Sequence, residues 1–233
     1  MTELFPLVHN KCSFDDLKID MDELFTLTGY GSHRPEGYVL EFIDEILVEM
    51  RECSSPEYGY AILPGKYGGD KVFLDDATVT TGRIIASAVR ESEYFAVFLA
   101  TVGPGIDACI KRFQKEDEMV KAFLADGLGS VLAEACASLM LERLSEEMSA
   151  HGFHISNSYS PGYCDWYLKD QKVLFSFFPE KFCGIELTPS CLMLPVKSVS
   201  GIVGIGKNVK KRLYACDICK MTNCVKNRKK AMV

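Results

Sequence analysis

The sequence predicts an α+β fold in which a twisted, mostly antiparallel sheet is flanked by helices. Three observations support this fold class. Residues 94–102 form an apolar run without alternation, which is typical of a strand buried on both faces. Residues 117–148 carry apolar side chains at spacings of three and four, which predicts a long amphipathic helix. Between residues 157 and 206, proline and glycine turns surround two further apolar runs with strand character.

The first part of the chain predicts short helices and a hairpin before the buried strand. Helical spacing of apolar residues is clearest after Pro35, and the glycine-rich segment at 64–69 predicts the hairpin turn. The expected elements are helices at 20–27, 35–54 and 81–90, and strands at 58–63 and 71–74 around a turn at 64–69.

After the buried strand, Gly103-Pro104-Gly105 turns the chain into a further helix. The long helix follows and supports the centre of the fold, and Pro179 ends an amphipathic segment beyond it. Pro195 then separates the last two strands. The expected elements are helices at 106–113, 117–148 and 166–178, and strands at 190–194 and 198–205.

Composition favours one folded domain, at 1–206, followed by a cysteine-rich tail at 207–233. The tail holds nine basic residues and one acidic residue, whereas the chain as a whole has a net charge of −6. An acidic body argues against nucleic-acid binding. No apolar run approaches the ~20 residues of a membrane span, and no export signal is recognisable. We therefore expect a cytoplasmic protein whose ten cysteines are reduced thiols or metal ligands.

Two features of the sequence are candidates for a binding site. Pro161 fixes φ and Gly162 permits a positive φ, so with Tyr163 they predict a tight turn that lines a shallow slot for a flat, polar ligand. The long helix also carries a line of small residues, Gly127, Ser130 and Ser138, in which Glu134 is the only acid. The alternative for Glu134 is an ordinary solvent-facing acid.

The turn at 161–163 and the helix segment around Glu134, together with Ser198-Val199-Ser200-Gly201, resemble parts of the S-adenosylmethionine-binding reactivation domain of cobalamin-dependent methionine synthase. The resemblance extends over residues 95–206. It implies a C-shaped α+β fold and a site for S-adenosylmethionine. The residues that the resemblance assigns to this ligand are Glu134, Pro161, Gly162, Tyr163, Ser200 and Gly201.

The resemblance also implies a function. Such a domain lets the enzyme recover from inactive cob(II)alamin by taking one electron from a flavodoxin-type donor and a methyl group from S-adenosylmethionine. Because no folate, homocysteine or cobalamin module is recognisable before residue 95, we expect a free-standing accessory protein. Its partners would be a cobalamin-dependent methionine synthase, or its cobalamin module, and a flavodoxin or ferredoxin. It would be an activation subunit without full methyltransferase activity alone.

Three departures from the family pattern bear on the ligand. The family has an arginine three residues before the proline of the turn, where this chain has Ser158, and a ligand-contacting tyrosine where it has Val203. The N-terminal segment that supplies an aspartate is not recognisable. A lost two-pronged arginine contact costs roughly tens to thousands fold in affinity, so binding is weaker, rearranged or lost. The alternative is a redox or scaffold module that retains only the fold.

The tail holds Cys216, Cys219 and Cys224 within nine residues. Thiolates at this spacing can converge on zinc or an iron–sulfur cluster, and Cys183 or Cys164 could supply a fourth ligand. A redox dithiol and inert thiols are the alternatives. An iron–sulfur cluster would connect the tail with the low-potential electron that cob(II)alamin requires.

Overall fold

The α+β prediction is confirmed by the computed structural model, which describes residues 5–31 and 33–211. Within these ranges seven strands form one antiparallel sheet, and two short strands form a separate hairpin. The seven are β1 (Val8–Lys11), β2 (Glu57–Gly68), β3 (Lys71–Leu74), β4 (Ala77–Val79), β5 (Tyr94–Thr101), β6 (His154–Tyr159) and β9 (Ser198–Gly206), and the hairpin is β7 (Glu186–Leu187) and β8 (Met193–Leu194).

Helices cover both faces of the sheet. On one face the long helix packs against four strands and against three other helices, and on the opposite face two short helices cover a smaller apolar cluster. The three helices beside the long helix, α5 (Met119–Ala150), are α1 (Met21–Leu27), α2 (Tyr38–Cys53) and α4 (Pro104–Lys115), and those opposite are α3 (Gly82–Ala88) and α6 (Gln171–Phe175).

The central strands β5 and β9 pair over the whole of β5 and over residues 198–205 of β9, with β2 beyond β5 and β6 beyond β9. Alternate residues of β5 face opposite layers, so that Phe98 lies in the α5 layer and Val97 in the α3 and α6 layer. Both side chains are fully buried. This double burial explains why the strand shows no alternation in the sequence.

Helix α5 is the structural support that the sequence predicts. By length and composition alone it could cross a membrane, but 61% of its most apolar window is buried inside the fold. Its inner side includes Leu128, Leu132 and Met140, which are fully buried in the main core. The helix therefore has the burial of a core helix.

The predicted turn at 64–69 is wrong, because β2 continues through it to Gly68. Pro64 pairs with β5, whereas Gly65 already pairs with β3, so the two residues mark the point at which the strand changes partners. A Cβ on Gly65 would lie 2.6 Å from both the Phe73 carbonyl oxygen and the Phe95 ring. The glycine thus permits close packing within the sheet rather than a turn.

The predicted helix at 166–178 is also largely wrong, since α6 contains only five residues. Cys164 and Asp165 both have positive φ, and a 3-10 turn at Leu168–Asp170 follows. The apolar residues whose spacing predicted a helix lie instead in a compact turn segment. Its Trp166 is buried against the sheet. The predicted strand at 190–194 is reduced to β8, and strands β1 and β6 were not predicted.

Candidate functional site

The turn at residues 161–163 follows directly on β6. Gly162 has a φ of +97°, and its N–H donates to the carbonyl oxygen of Trp166 at 2.8 Å. In return, the N–H of Trp166 donates to the carbonyl oxygen of Tyr163 at 2.9 Å. Pro161 is buried and the Tyr163 side chain is 45% exposed. The backbone is therefore fixed while an aromatic ring is presented at the surface.

The residues that follow this turn are bonded to other parts of the fold. Asp170 accepts two hydrogen bonds on one carboxylate oxygen, from the indole nitrogen of Trp166 at 3.2 Å and the backbone N–H of Thr80 at 2.8 Å. Gly82, at the start of α3, lies so close that a Cβ there would be 2.9 Å from the Cys164 carbonyl oxygen. The turn is thus a preorganised element.

Ser200 and Gly201 lie beside the turn in β9, and they face opposite layers. The Ser200 hydroxyl accepts a hydrogen bond from the side-chain amide of Gln171 at 3.0 Å and is buried on the α6 side. A Cβ on Gly201 would overlap the carbonyl oxygen of Tyr159 and lie 2.9 Å from the Phe98 ring. The close approach at Gly201 is therefore made by strand β6 and by the core.

The two family positions that differ in this chain are cross-strand partners. Ser158 in β6 pairs with Val203 in β9, and residues opposite each other in a sheet project to the same face. Val203 is fully buried in the α5 layer, and Ser158 is partly exposed. The missing arginine and the missing tyrosine therefore belong to one place, on the α5 side of the sheet at its β6 edge.

Glu134 is exposed on α5, one helical turn after Ser130. The ammonium of Lys197 donates to Asp126 Oδ1 at 2.7 Å and to Ser130 Oγ at 3.0 Å. Asp126 is therefore a second acid beside this groove, which corrects the expectation that Glu134 is the only one. Since Lys197 comes just before β9, this contact fixes the start of β9 against α5.

Part of the small-residue line on α5 is already covered. A Cβ on Gly127 would lie 3.0 Å from Leu24 Cδ1 and 3.3 Å from Thr28 Cγ2, so α1 and the residue after it pack there. Buried Gly129, outside the predicted line, gives Lys197 its space, at 3.0 Å from the Cγ atom. The small residues of α5 thus serve helix and side-chain packing in its first half.

The metal prediction receives no support from the part of the chain that is described. Cys183 is 1% exposed in an apolar cluster with Leu99 and Ile185, and burial raises the pKa of its thiol to about 12. A metal-ligating thiolate would therefore be unfavourable there. Among residues 5–31 and 33–211, no group of three or more histidine, cysteine or acidic side chains could hold a metal ion. Cys216, Cys219 and Cys224 lie outside the described residues.

The whole architecture is similar to a solved structure, the "Crystal Structure of the MetH Reactivation Domain bound to AdoHcy". The TM-score is 0.71 at 18% sequence identity, and the match covers 91% of this chain and 81% of that chain. The fold is therefore that of a reactivation domain. No curated protein matches the chain.

Residues 78–230 match the family described as "Vitamin B12 dependent methionine synthase, activation domain". The matched segment includes the turn at 161–163, β9 and the whole of α5. The chain belongs to this family, as the resemblance in its sequence indicated.

Proposed function

We propose that this protein is an accessory subunit for the reductive reactivation of a cobalamin-dependent methionine synthase and that it binds S-adenosylmethionine. The observation that carries the proposal is the fixed turn at 161–163, with Tyr163 exposed, on an activation-domain fold. The similar domain, which is bound to AdoHcy, supports a ligand of the S-adenosyl class. The bound molecule would supply the methyl group.

The residues of the turn fit the adenosine side of such a ligand. The exposed ring of Tyr163 offers a flat surface for stacking, and the positive φ of Gly162 brings backbone close to the slot without a side chain. Glu134 would contact a polar or cationic group of the ligand. Ser200 would act through its backbone only, because its hydroxyl is buried against Gln171.

A specific observation favours the second candidate, a redox or scaffold module that has lost this ligand. At the position of the family's tyrosine, Val203 is fully buried in the core and offers no polar contact. Its cross-strand partner Ser158 lacks the guanidinium group with which an arginine would bind a carboxylate through two hydrogen bonds. The ligand's carboxylate side is therefore the weak part of the proposed site.

Calorimetry with S-adenosylmethionine separates the two candidates. We expect measurable binding by the wild-type chain and, for Tyr163→Ala, an affinity lower by about tenfold because the stacking surface is lost. Tyr167→Ala is the matched control, since Tyr167 is also exposed, at 60%, but lies beyond the turn. No binding by the folded wild-type chain would reject the methyl-donor assignment and leave the scaffold alternative.

The proposed partner is the cobalamin module of a methionine synthase in the cytoplasm, with a flavodoxin or ferredoxin as electron donor. The basic residues of the tail could attract an acidic partner. A pull-down with cobalamin-loaded methyltransferase tests this pairing directly. We expect retention that weakens as salt rises, and no retention at low salt would contradict the partnership.

Metal analysis tests the proposed role of Cys216, Cys219 and Cys224. After anaerobic purification we expect iron and sulfide in stoichiometric amounts, bound through these thiolates. Replacing Cys219 with serine should remove most of the metal, whereas Cys191→Ser, at a partly exposed cysteine outside the tail, should not. Stoichiometric zinc would instead make the tail a structural site, and absence of any metal would reject both.

A further inference from the structure

Two cysteines that the proposed function does not use lie side by side near the N-terminal strand. Cys12 follows β1, and Cys136 projects from the middle of α5. The Cys12 sulfur is 3.6 Å from the carbonyl oxygen of Pro56, and the Cys136 sulfur is 3.7 Å from that of the next residue, Glu57. The two thiols also interact with each other, since contact with Cys136 lowers the pKa of Cys12 and contact with Cys12 raises that of Cys136. Both sulfurs therefore lie against the backbone where β2 begins.

Only one thiol of this pair is accessible. Cys12 is partly exposed and lines a cavity of about 430 Å³, together with Tyr58, Leu139 and Arg143. Cys136 is fully buried behind it. A small molecule that enters the cavity can therefore reach Cys12 but not Cys136.

The pKa shifts of the two thiols also favour Cys12 as the reactive one. A hydrogen bond from the Cys136 thiol lowers the pKa of Cys12, although burial and the nearby carboxylates of Asp16 and Glu57 oppose this shift. The pKa of Cys136 is raised by the same hydrogen bond and by burial. Cys12 is thus the better nucleophile of the pair at neutral pH.

We propose that Cys12 and Cys136 form a dithiol site that reacts with low-molecular-weight disulfides entering this cavity. The Cys12 thiolate attacks one sulfur of the small disulfide, forming a mixed disulfide and releasing one small thiolate. Cys136 then loses its proton and attacks Cys12, which releases the second small thiol. The protein loses two electrons and two protons and gains the Cys12–Cys136 bond, while the small disulfide is reduced to two thiols.

A second close thiol pair, Cys53 and Cys109, provides an internal comparison. These thiols also interact with each other, but the pKa of Cys53 is raised by burial, and that of Cys109 is raised to about 11. Because neither member has a lowered pKa, the pair should contain less thiolate. Proximity alone therefore does not predict that this second pair reacts.

The test is exposure of the reduced, full-length wild-type chain to oxidised glutathione, followed by digestion without reduction and mass spectrometry. We expect a Cys12–Cys136 cross-linked peptide to accumulate at least about tenfold faster than a Cys53–Cys109 peptide, because thiolate content governs the first attack. Mapping of peptides separates these products from any that involve the tail. Equal rates, or no Cys12–Cys136 peptide, would overturn the proposal.

Variants test the order of the two steps. With Cys136→Ala, the mixed disulfide between Cys12 and glutathione should persist, because no second thiol resolves it. With Cys12→Ser, Cys136 should remain unmodified, since it is not accessible. A Cys136 adduct in the second variant, or no Cys12 adduct in a folded first variant, would contradict the assignment. The wild-type experiment requires no substitution and decides the matter if a variant does not fold.

Discussion

Replacing Ser158 with arginine is expected to increase the affinity for S-adenosylmethionine by about 10- to 100-fold. The position is partly exposed and projects to the α5 side of the sheet, where it pairs with buried Val203. A guanidinium there would restore the two-pronged, charge-assisted contact to a carboxylate that the family pattern contains. Calorimetry on the folded variant and the wild-type chain measures the change.

Ser158→Lys is the matched control for this gain. Lysine adds the same charge but cannot form two parallel hydrogen bonds with a carboxylate, so it should recover only a small part of the increase. Equal gains would indicate general electrostatic attraction rather than a shaped contact. If arginine left the affinity unchanged in a folded protein, the carboxylate side of the ligand would not lie at this edge of the sheet.

Gly201→Ala is expected to destabilise the fold by about 2–3 kcal/mol, because it forces extra volume into a packed core. The new methyl group would overlap the carbonyl oxygen of Tyr159 and approach the Phe98 ring to 2.9 Å. Strand β6 cannot move away without losing its pairing with β9, so the overlap is not easily relieved. Urea unfolding followed by circular dichroism gives the free energy of unfolding.

Gly127→Ala is the control for this prediction. Its methyl group would contact only side-chain atoms of Leu24 and Thr28, at 3.0 and 3.3 Å, and side-chain atoms can adjust. Alanine also favours a helix interior by up to about 1 kcal/mol relative to glycine. The free energy of unfolding should therefore stay level or rise slightly. A similar loss for both variants would show that Gly201 has no special role in the packing of β6 and β9.

The elements with the strongest periodicity were predictable from sequence, and those whose pattern depends on distant partners were not. Helix α5 and strand β5 carry continuous signals, which the structure confirms. The region at 64–69 contains a proline and three glycines, yet it remains a strand up to Gly68 because β2 exchanges one neighbouring strand for another there. Local turn chemistry cannot report that exchange.

Strand β6 was missed for a related reason. Its central residues, Ser156, Asn157 and Ser158, are polar, and the pairing with β9 contains an irregularity between Ile155 and Ser158. The hydroxyl of Ser156 accepts the backbone N–H of Gly204 at 2.9 Å, so a side chain supplies a bond that the regular ladder lacks. A strand stabilised in this way has no apolar alternation for a sequence pattern to detect.

The candidate site was predicted in part. Motifs indicated the turn at 161–163 and the residues of β9, because proline and glycine constrain backbone locally. They could not indicate that the Ser200 hydroxyl is bonded to Gln171, or that Asp126 and Lys197 form an ion pair. Those relations join residues about 30 to 70 positions apart, which only the folded chain brings together.

Glu134 and Cys136 are two positions apart on α5, and a helix advances only about 1.5 Å per residue. Any displacement of this segment that accompanies a Cys12–Cys136 bond would therefore move both side chains as one rigid unit. If Glu134 contacts the methyl donor as proposed, thermodynamic linkage is reciprocal: oxidation that moves Glu134 would change the affinity for the methyl donor, and the methyl donor would shift the midpoint potential of the thiol pair by the same free energy.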